Sequence, residues 1–282
     1  MENTMKDGAG HKKDSLRITC IQVDMKDREK GEALDHVITL LNKAPRSDLI
    51  LLPELWPSGY FAFHRYKTDG EPLDGPIMKA LQEEARALQT HLLTGSFVEK
   101  QGKNLFNTTV LLSPQGKKLA IYRKIHLFGY QSEEKRLLTP GRSIAVAQLP
   151  WAVCGIATCY DLRFPELFRL MMEAGATMFL IPSAWPRVRL DAWTLFNRVR
   201  AHENLAFLFS CNGTGSNGGV RIGGHSLLVD PWGQVLAEGN EEEGFVSTVI
   251  DPRLPQEVRS KFSALEDRVF PSSLKSETLT SG

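Results

Sequence analysis

An α/β fold with a mixed sheet system is what this sequence predicts, on three observations. Short apolar runs bounded by polar residues alternate with longer segments whose apolar residues recur at helical spacing. The alternation continues through residue 251 without an internal repeat or a low-complexity linker. A hairpin-like pair in the middle and a last third built of short strands turn the βα succession into a mixed one.

The elements follow in order. Residues 1–15 and the tail 272–282 (SSLKSETLTSG) offer no periodic apolar residues and are expected to be frayed, leaving 16–271 as the folded domain. LRITCIQV (16–23) and DLILLP (48–53) suit buried strands. Between them Leu34, Val37, Ile38 and Leu41 mark an amphipathic helix. A second helix is expected over 77–88, then HLLTGSFVEK and the pair LFNTTVLLSPQGKKLAIYRK, turned by Pro114-Gln115-Gly116. The next third reads strands AVAQLP and VCGIATC, helix PELFRLMMEAGA, strand TMFLIPSAW, helix LDAWTLFNRVRAHEN and strand LAFLFSCN. SLLVD, a PWG turn, QVLAEG and FVSTVID close the series as short strands.

Composition narrows the function classes. Lys and Arg number 34 against 33 Asp and Glu, a balance that argues against a nucleic-acid footprint, which needs clustered cations. No apolar run approaches the ~18–20 residues of a membrane helix, and the polar N-terminal stretch lacks the apolar segment of a signal peptide. Four cysteines without a C-x-x-C pair are too sparse for a disulfide framework, so a cytoplasmic, reducing setting is expected. The absence of an H-x-x-x-H or Cys/His cluster argues against zinc, and no cofactor is expected.

Three segments carry chemistry. In VCGIATCYDLRFPEL (153–167) an apolar strand ends at Cys159 and a helix begins near Pro165. Backbone N–H groups at such an elbow lower a thiol pKa and make the thiolate available; a buried structural cysteine fits the same segment. Cys20 and Cys154, inside strands, read as core. In DLILLPELWPSGY (48–60) Glu54 follows a buried strand among Leu, Pro and Trp, where a raised pKa suits a general base; a solvated loop residue is the alternative. In LAIYRKIHLFGYQSEEKRLLTPG (119–141) Lys124 ends a strand and either projects into a cleft, stabilising an oxyanion, or snorkels to the surface. Histidine as base is the competing design among thiol hydrolases; among the seven histidines, His126 lies near Lys124 and His225 begins a strand.

With these three segments in this order, the sequence resembles the nitrilase (carbon–nitrogen hydrolase) superfamily from about Leu16 to about Phe270. PSAW (182–185), RAHEN (200–204) and GGHSLLVDPWG (223–233) belong to the likeness. The resemblance implies a four-layer α-β-β-α sandwich. It further implies Glu54 as general base, Lys124 as cationic stabiliser, Cys159 as nucleophile and Glu134 (with Glu133 the neighbouring alternative) as second glutamate. Lys124 and the Tyr160 N–H would hold the oxyanion of a thioester mechanism. C-Y-D-L-R-F looks most like the omega-amidase branch, which hydrolyses short dicarboxylic monoamides. There Arg163 would clamp the substrate carboxylate, or else pair with Asp161 or Glu166, and Tyr160, Ser183 and Trp185 would join the substrate group. A nitrilase, an N-carbamoyl amide hydrolase or a non-catalytic scaffold of the same fold are the alternatives. The stretches FGYQSE (128–133) and PRVRLDAW (186–193) depart from that branch, the latter with Arg187 and Arg189 placed to read a second carboxylate or to solvate a loop. The partners implied are a small-molecule amide and further copies of the chain, as a homodimer or higher homo-oligomer, with the arm at 262–270 crossing to a partner.

Overall fold

The structure is a computed structural model that describes residues 14–269. Residues 1–13, the tail from Ser272 and Phe270 of the expected arm lie outside the described residues. The first half runs β1 (Leu16–Gln22), α1 (Lys30–Lys43), β2 (Leu49–Leu51), a 3-10 turn at Phe63–Arg65 with α2 (Tyr66–Asp69), α3 (Pro76–Leu88), β3 (His91–Gln101), β4 (Asn104–Leu112) and β5 (Lys118–Arg123). The second half runs α4 (Glu134–Leu137), β6 (Ala145–Gln148), β7 (Val153–Ile156), α5 (Pro165–Glu173), β8 (Met178–Ser183), α6 (Leu190–Asn204) and β9 (Phe207–Asn212). It ends with β10 (Ser216–Asn217), β11 (Val220–Arg221), β12 (Leu227–Val229), β13 (Val235–Glu238), β14 (Gly244–Ile250) and α7 (Leu254–Lys261).

Apolar alternation decides the layering. One six-stranded sheet has the order β14-β1-β2-β3-β4-β5, the other β13-β12-β9-β8-β7-β6. Successive strand side chains face opposite ways. Leu16, Ile18, Leu49, Leu51 and Leu111 therefore turn inward, into one core with Ile156, Leu180 and Phe209 of the other sheet. Ile50, Val110 and Leu112 face outward, beneath Val37 and Leu41 of α1 and Met78 and Leu81 of α3. On the far side Leu167, Phe168 and Met171 of α5 and Trp193 of α6 cover the second sheet. The result is helices, sheet, sheet, helices, the expected four layers. At such fully buried positions, removing Phe179 or Trp193 would cost about 3–5 kcal/mol.

Parallel pairing is confined to β1–β2–β3 and β7–β8–β9, and antiparallel strands flank both sets. Each parallel set has its helix crossovers, α3 and α5 opening with proline at the first turn, where its missing N–H has no helical partner to lose. Four candidate residues follow strand ends: Glu54 after β2, Lys124 after β5, Cys159 after β7 and Trp185 after β8; Glu134 opens α4 and Ser183 ends β8.

Candidate active site

Glu54 is held by the loop that leaves β2. Its N–H donates to the Ser183 carbonyl (3.2 Å), and the Leu55 N–H donates to Ser96 Oγ (2.9 Å). That second contact needs a bulge in β3 between Leu93 and Ser96, where Gly95 adopts φ +65°. A side chain at Gly95 would run into the Pro53 carbonyl oxygen, so glycine is what lets the Glu54 loop lie against β3.

Lys124 stands at the centre of a buried charge cluster. Its ammonium lies 2.8 Å from Glu54 Oε1 and 2.9 and 3.0 Å from the two Glu134 oxygens, with all three side chains fully enclosed. Asn107 Nδ2, from β4, donates to Glu54 (2.8 Å) and to Glu134 (2.9 Å). Glu134 also accepts from the Tyr60 hydroxyl (3.0 Å) and the Phe128 N–H (2.7 Å). The glutamate that meets Lys124 is thus Glu134; Glu133 is half exposed and pairs with Arg136.

Cys159 opens a 3-10 turn, Cys159–Arg163, rather than a helix. Its φ of +48° is a left-handed conformation that costs a non-glycine residue roughly 1–3 kcal/mol and persists only where the surroundings enforce it. Asp161 provides that enforcement. Its carboxylate accepts from the Thr158 N–H (2.8 Å), the Tyr122 hydroxyl (2.7 Å), the His126 N–H (3.1 Å) and His126 Nδ1 (2.7 Å). One buried carboxylate therefore ties the elbow to β5 and to the segment carrying Lys124. His126 stacks on Phe164, with ring centroids 3.7 Å apart, and supports the site from outside.

The electrostatics correct one expectation. The elbow was to lower the Cys159 pKa; burial and the facing Glu54 carboxylate instead push the thiol well up, against the pull of Lys124. The turn is too short to present a helix dipole, and Cys159 is buried. Burial also raises Glu54, with Lys124 opposing and Glu134 adding. Burial works to lower Lys124, but Glu134 and Glu54 outweigh it and hold the ammonium above its ordinary value. The cluster thus pairs a thiol held protonated by burial with a carboxyl of enhanced basicity and a fixed cation.

Cys159 lies in a cleft of about 340 Å³, open mouth included, lined mainly by Tyr60, Phe128, Tyr160, Trp185, Arg163 and Arg189. Arg163, half-buried, sits over the rings of Trp185 (5.3 Å), Phe196 (5.1 Å) and Tyr160 (5.9 Å) and has no acidic partner among the described residues. The alternative pairing with Asp161 does not form, because Asp161 is fully engaged within the elbow. Tyr160 and Trp185 line the cleft. Ser183 does not: it is fully buried in β8, and it serves the site through its carbonyl.

Asn107, Tyr60 and Asp161 are what sequence reasoning passed over as site residues. Asn107 carried a usable signal, a poor strand former in the middle of the apolar run LFNTTVLL. Among the described residues no group of His, Cys, Asp and Glu is placed to hold a metal ion, and no helix is long and apolar enough to cross a membrane.

Comparison with known proteins agrees with this geometry. Residues 17–260 match the carbon–nitrogen hydrolase family. The chain is 35% identical over 262 residues to the 2-oxoglutaramate amidase of Paenarthrobacter nicotinovorans, covering 90% of this chain and 89% of that one. It is 29% identical over 264 residues to the omega-amidase NIT2 of Homo sapiens, covering 90% and 95% respectively. A solved CN-hydrolase superfamily protein from Xanthomonas campestris, with an arsenic adduct in its active site, matches with TM-score 0.84 at 29% identity, over 91% of this chain and 98% of that one.

Proposed function

The chain belongs to the carbon–nitrogen hydrolase family, and on that premise we propose that it is an omega-amidase, releasing ammonia from the side-chain amide of a short dicarboxylic monoamide. The observation that carries the reading is a thiol in a small aromatic cleft, with a buried, strengthened base against its sulfur and an unpaired guanidinium on the same wall.

In the proposed mechanism Glu54 takes the Cys159 proton as the sulfur attacks the amide carbon. A thiolate need not exist beforehand, since transfer accompanies attack. The carbonyl oxygen becomes an oxyanion held by the Tyr160 N–H and by Lys124. Its ammonium has three donors, two of them spent on the two oxygens of Glu134, and one of these turns to the oxyanion as the charge develops. Protonated Glu54 then gives its proton to the leaving nitrogen, the C–N bond breaks, and a thioester remains on Cys159. Glu54 next deprotonates a water that attacks the thioester; the C–S bond breaks, and the thiol and a carboxylic acid are regenerated. Glu134, Asn107 and Tyr60 act as positioning residues that keep Lys124 aimed. Arg163 offers a planar pair of N–H donors to the substrate's free carboxylate.

Exposed Leu170 of α5 and Leu195 and Val199 of α6 support self-association through the outer helical layer. Four free, buried cysteines support a reducing, cytoplasmic setting.

The test is product release across monoamides of two- to six-carbon dicarboxylates, beside nitriles and N-carbamoyl compounds of matching length. Ammonia with a dicarboxylic acid from the monoamides alone supports the proposal. Turnover only of nitriles, or carbon dioxide from the carbamoyl compounds, would replace it.

A further inference from the structure

The cleft has a cation beyond Arg163, and nothing in the amidase mechanism uses it. Arg187 and Arg189 sit two residues apart in the 3-10 turn that leads into α6, yet they have different fates. Arg187 turns outward and binds Glu241 (Nε to Oε1, 2.8 Å), a hydrogen bond that holds the Glu241 carboxyl below the usual range. Arg189 turns inward and lines the cleft with Cys159 and Arg163. Its guanidinium lies over the faces of Phe128 (5.4 Å) and Tyr130 (5.7 Å), and its side chain donates to no acceptor among the described residues.

Stacking on aromatic faces occupies the plane of a guanidinium and leaves the N–H groups at its edge unspent. No Asp or Glu lines the cleft to take them. The Arg189 backbone is pinned independently, since its carbonyl accepts from Trp185 Nε1 (2.8 Å), so the side chain is presented from a fixed point. A cleft whose wall away from Glu54 carries two guanidiniums and no carboxylate attracts a far end richer in acceptors than one carboxylate, and repels a positive charge there.

We propose that Arg189 is a specificity-determining residue: with Arg163 it selects monoamides whose carboxylate has a neutral acceptor beside it, as in a 2-oxo acid, and rejects those with an ammonium beside it. The assignment rests on the amidase reading above. Arg163 holds the carboxylate, and Arg189 donates to the adjacent oxygen. A free amino-acid amide would place its ammonium against that guanidinium.

Three five-carbon monoamides that differ only at C2 test this: 2-oxoglutaramate, glutaramate (a methylene) and glutamine (an ammonium). For Arg189→Gln, kcat/KM on 2-oxoglutaramate should fall about ten- to hundredfold, mostly through KM, the loss of a hydrogen bond from a charged donor. Glutaramate, which lacks the acceptor, should lose much less, and the preference for 2-oxoglutaramate over glutamine should narrow at least about tenfold. Arg189→Lys should restore the discrimination against glutamine, because it restores the charge. Arg187→Ala should behave as wild type on all three. Equal losses on all three substrates, or no loss on any, would overturn the role of Arg189 while leaving the amidase reading in place. Wild-type turnover of none of them would overturn that reading, and this assignment with it. Should Arg189→Gln not fold, Arg189→Met carries the same comparison.

Discussion

A protonated thiol beside a base of raised pKa makes a definite statement about pH. Below its raised pKa Glu54 carries a proton and cannot take that of Cys159, so kcat/KM should decline as pH falls, with the acidic limb above the ordinary glutamate range of 4.5. Lys124 stays cationic beyond its ordinary range and contributes no basic limb near neutrality. A pH–rate profile of wild type checks this; an acidic limb at or below 4.5 would contradict Glu54 as base. Cys159→Ala should abolish ammonia release, and adding Glu54→Gln to it should bring no further loss, as for residues that act as one unit. Removing the cation has a separate, structural outcome. Lys124→Met leaves Glu54 and Glu134 facing each other in a dry site, a loss of about 3–5 kcal/mol. With the opposing pull of Lys124 gone, the folded-state Glu54 pKa rises further above its unfolded value, so the variant is penalised above the unfolded carboxyl pKa and recovers as protonation neutralises Glu54. Its melting point should lie well below wild type at pH 8 and approach it near pH 5; an equal deficit at both would refute the charge argument. Glu54, Lys124 and Cys159 were legible because each ends a recognisable strand. The raised thiol pKa was not, because Glu54 is brought to Cys159 where the loop after β2 meets the end of β8, its N–H donating to the Ser183 carbonyl and its carboxylate accepting from the Ala184 N–H, a tertiary fact.

At the scale of elements, the elbow after β7 is built to hold a strained residue, and Asp161 is its fastener. Asp161→Asn exchanges an acceptor-only group for one that also donates, and it cannot satisfy Thr158, Tyr122 and His126 together. The expected cost is about 1–3 kcal/mol in urea unfolding, with kcat reduced more than KM because Cys159 loses its alignment. A KM-only effect would mean that Asp161 shapes binding instead. Strands and amphipathic helices were legible wherever period two or 3.6 ran for several residues: 77–88 against the observed Pro76–Leu88 differs by one residue. The turn and helix at 63–69 and the hairpin of β10 and β11 escaped, since neither is long enough to display a period. The hairpin is made by tertiary contact: Asn217 accepts from the Phe61 N–H (2.7 Å) and donates to Asp27 (2.5 Å), tying the wall of the cleft to the loop after β1.

Across the whole molecule, the four layers bury the central strands of both sheets, leave the edge strands β5, β13 and β14 partly exposed, and leave apolar side chains on the outer side of α5 and α6. Leu195 is 58% and Leu170 51% exposed, and Trp232 (41%) adjoins them beyond β12. In the segment after α7, Phe262 packs on Trp232 (5.8 Å) and Arg268 pairs with Glu173 of α5 (2.9 Å). Apolar side chains exposed on adjacent helices are characteristic of a covered surface, and a stable dimer needs about 1,200–2,000 Å² in total. The consequence reaches the cleft, because the Cys159 elbow runs directly into α5 and the Arg189 turn directly into α6. Locking these helices against a second copy would limit the motion of both site segments. Wild type should therefore sediment as a dimer or larger. Leu195→Asp, which puts a charge at the centre of the face, should sediment as a monomer that melts at lower temperature while keeping the pH profile of kcat/KM. A monomeric wild type would remove the argument for this surface. A monomeric variant of unchanged melting temperature would show that the cleft holds its shape without a partner.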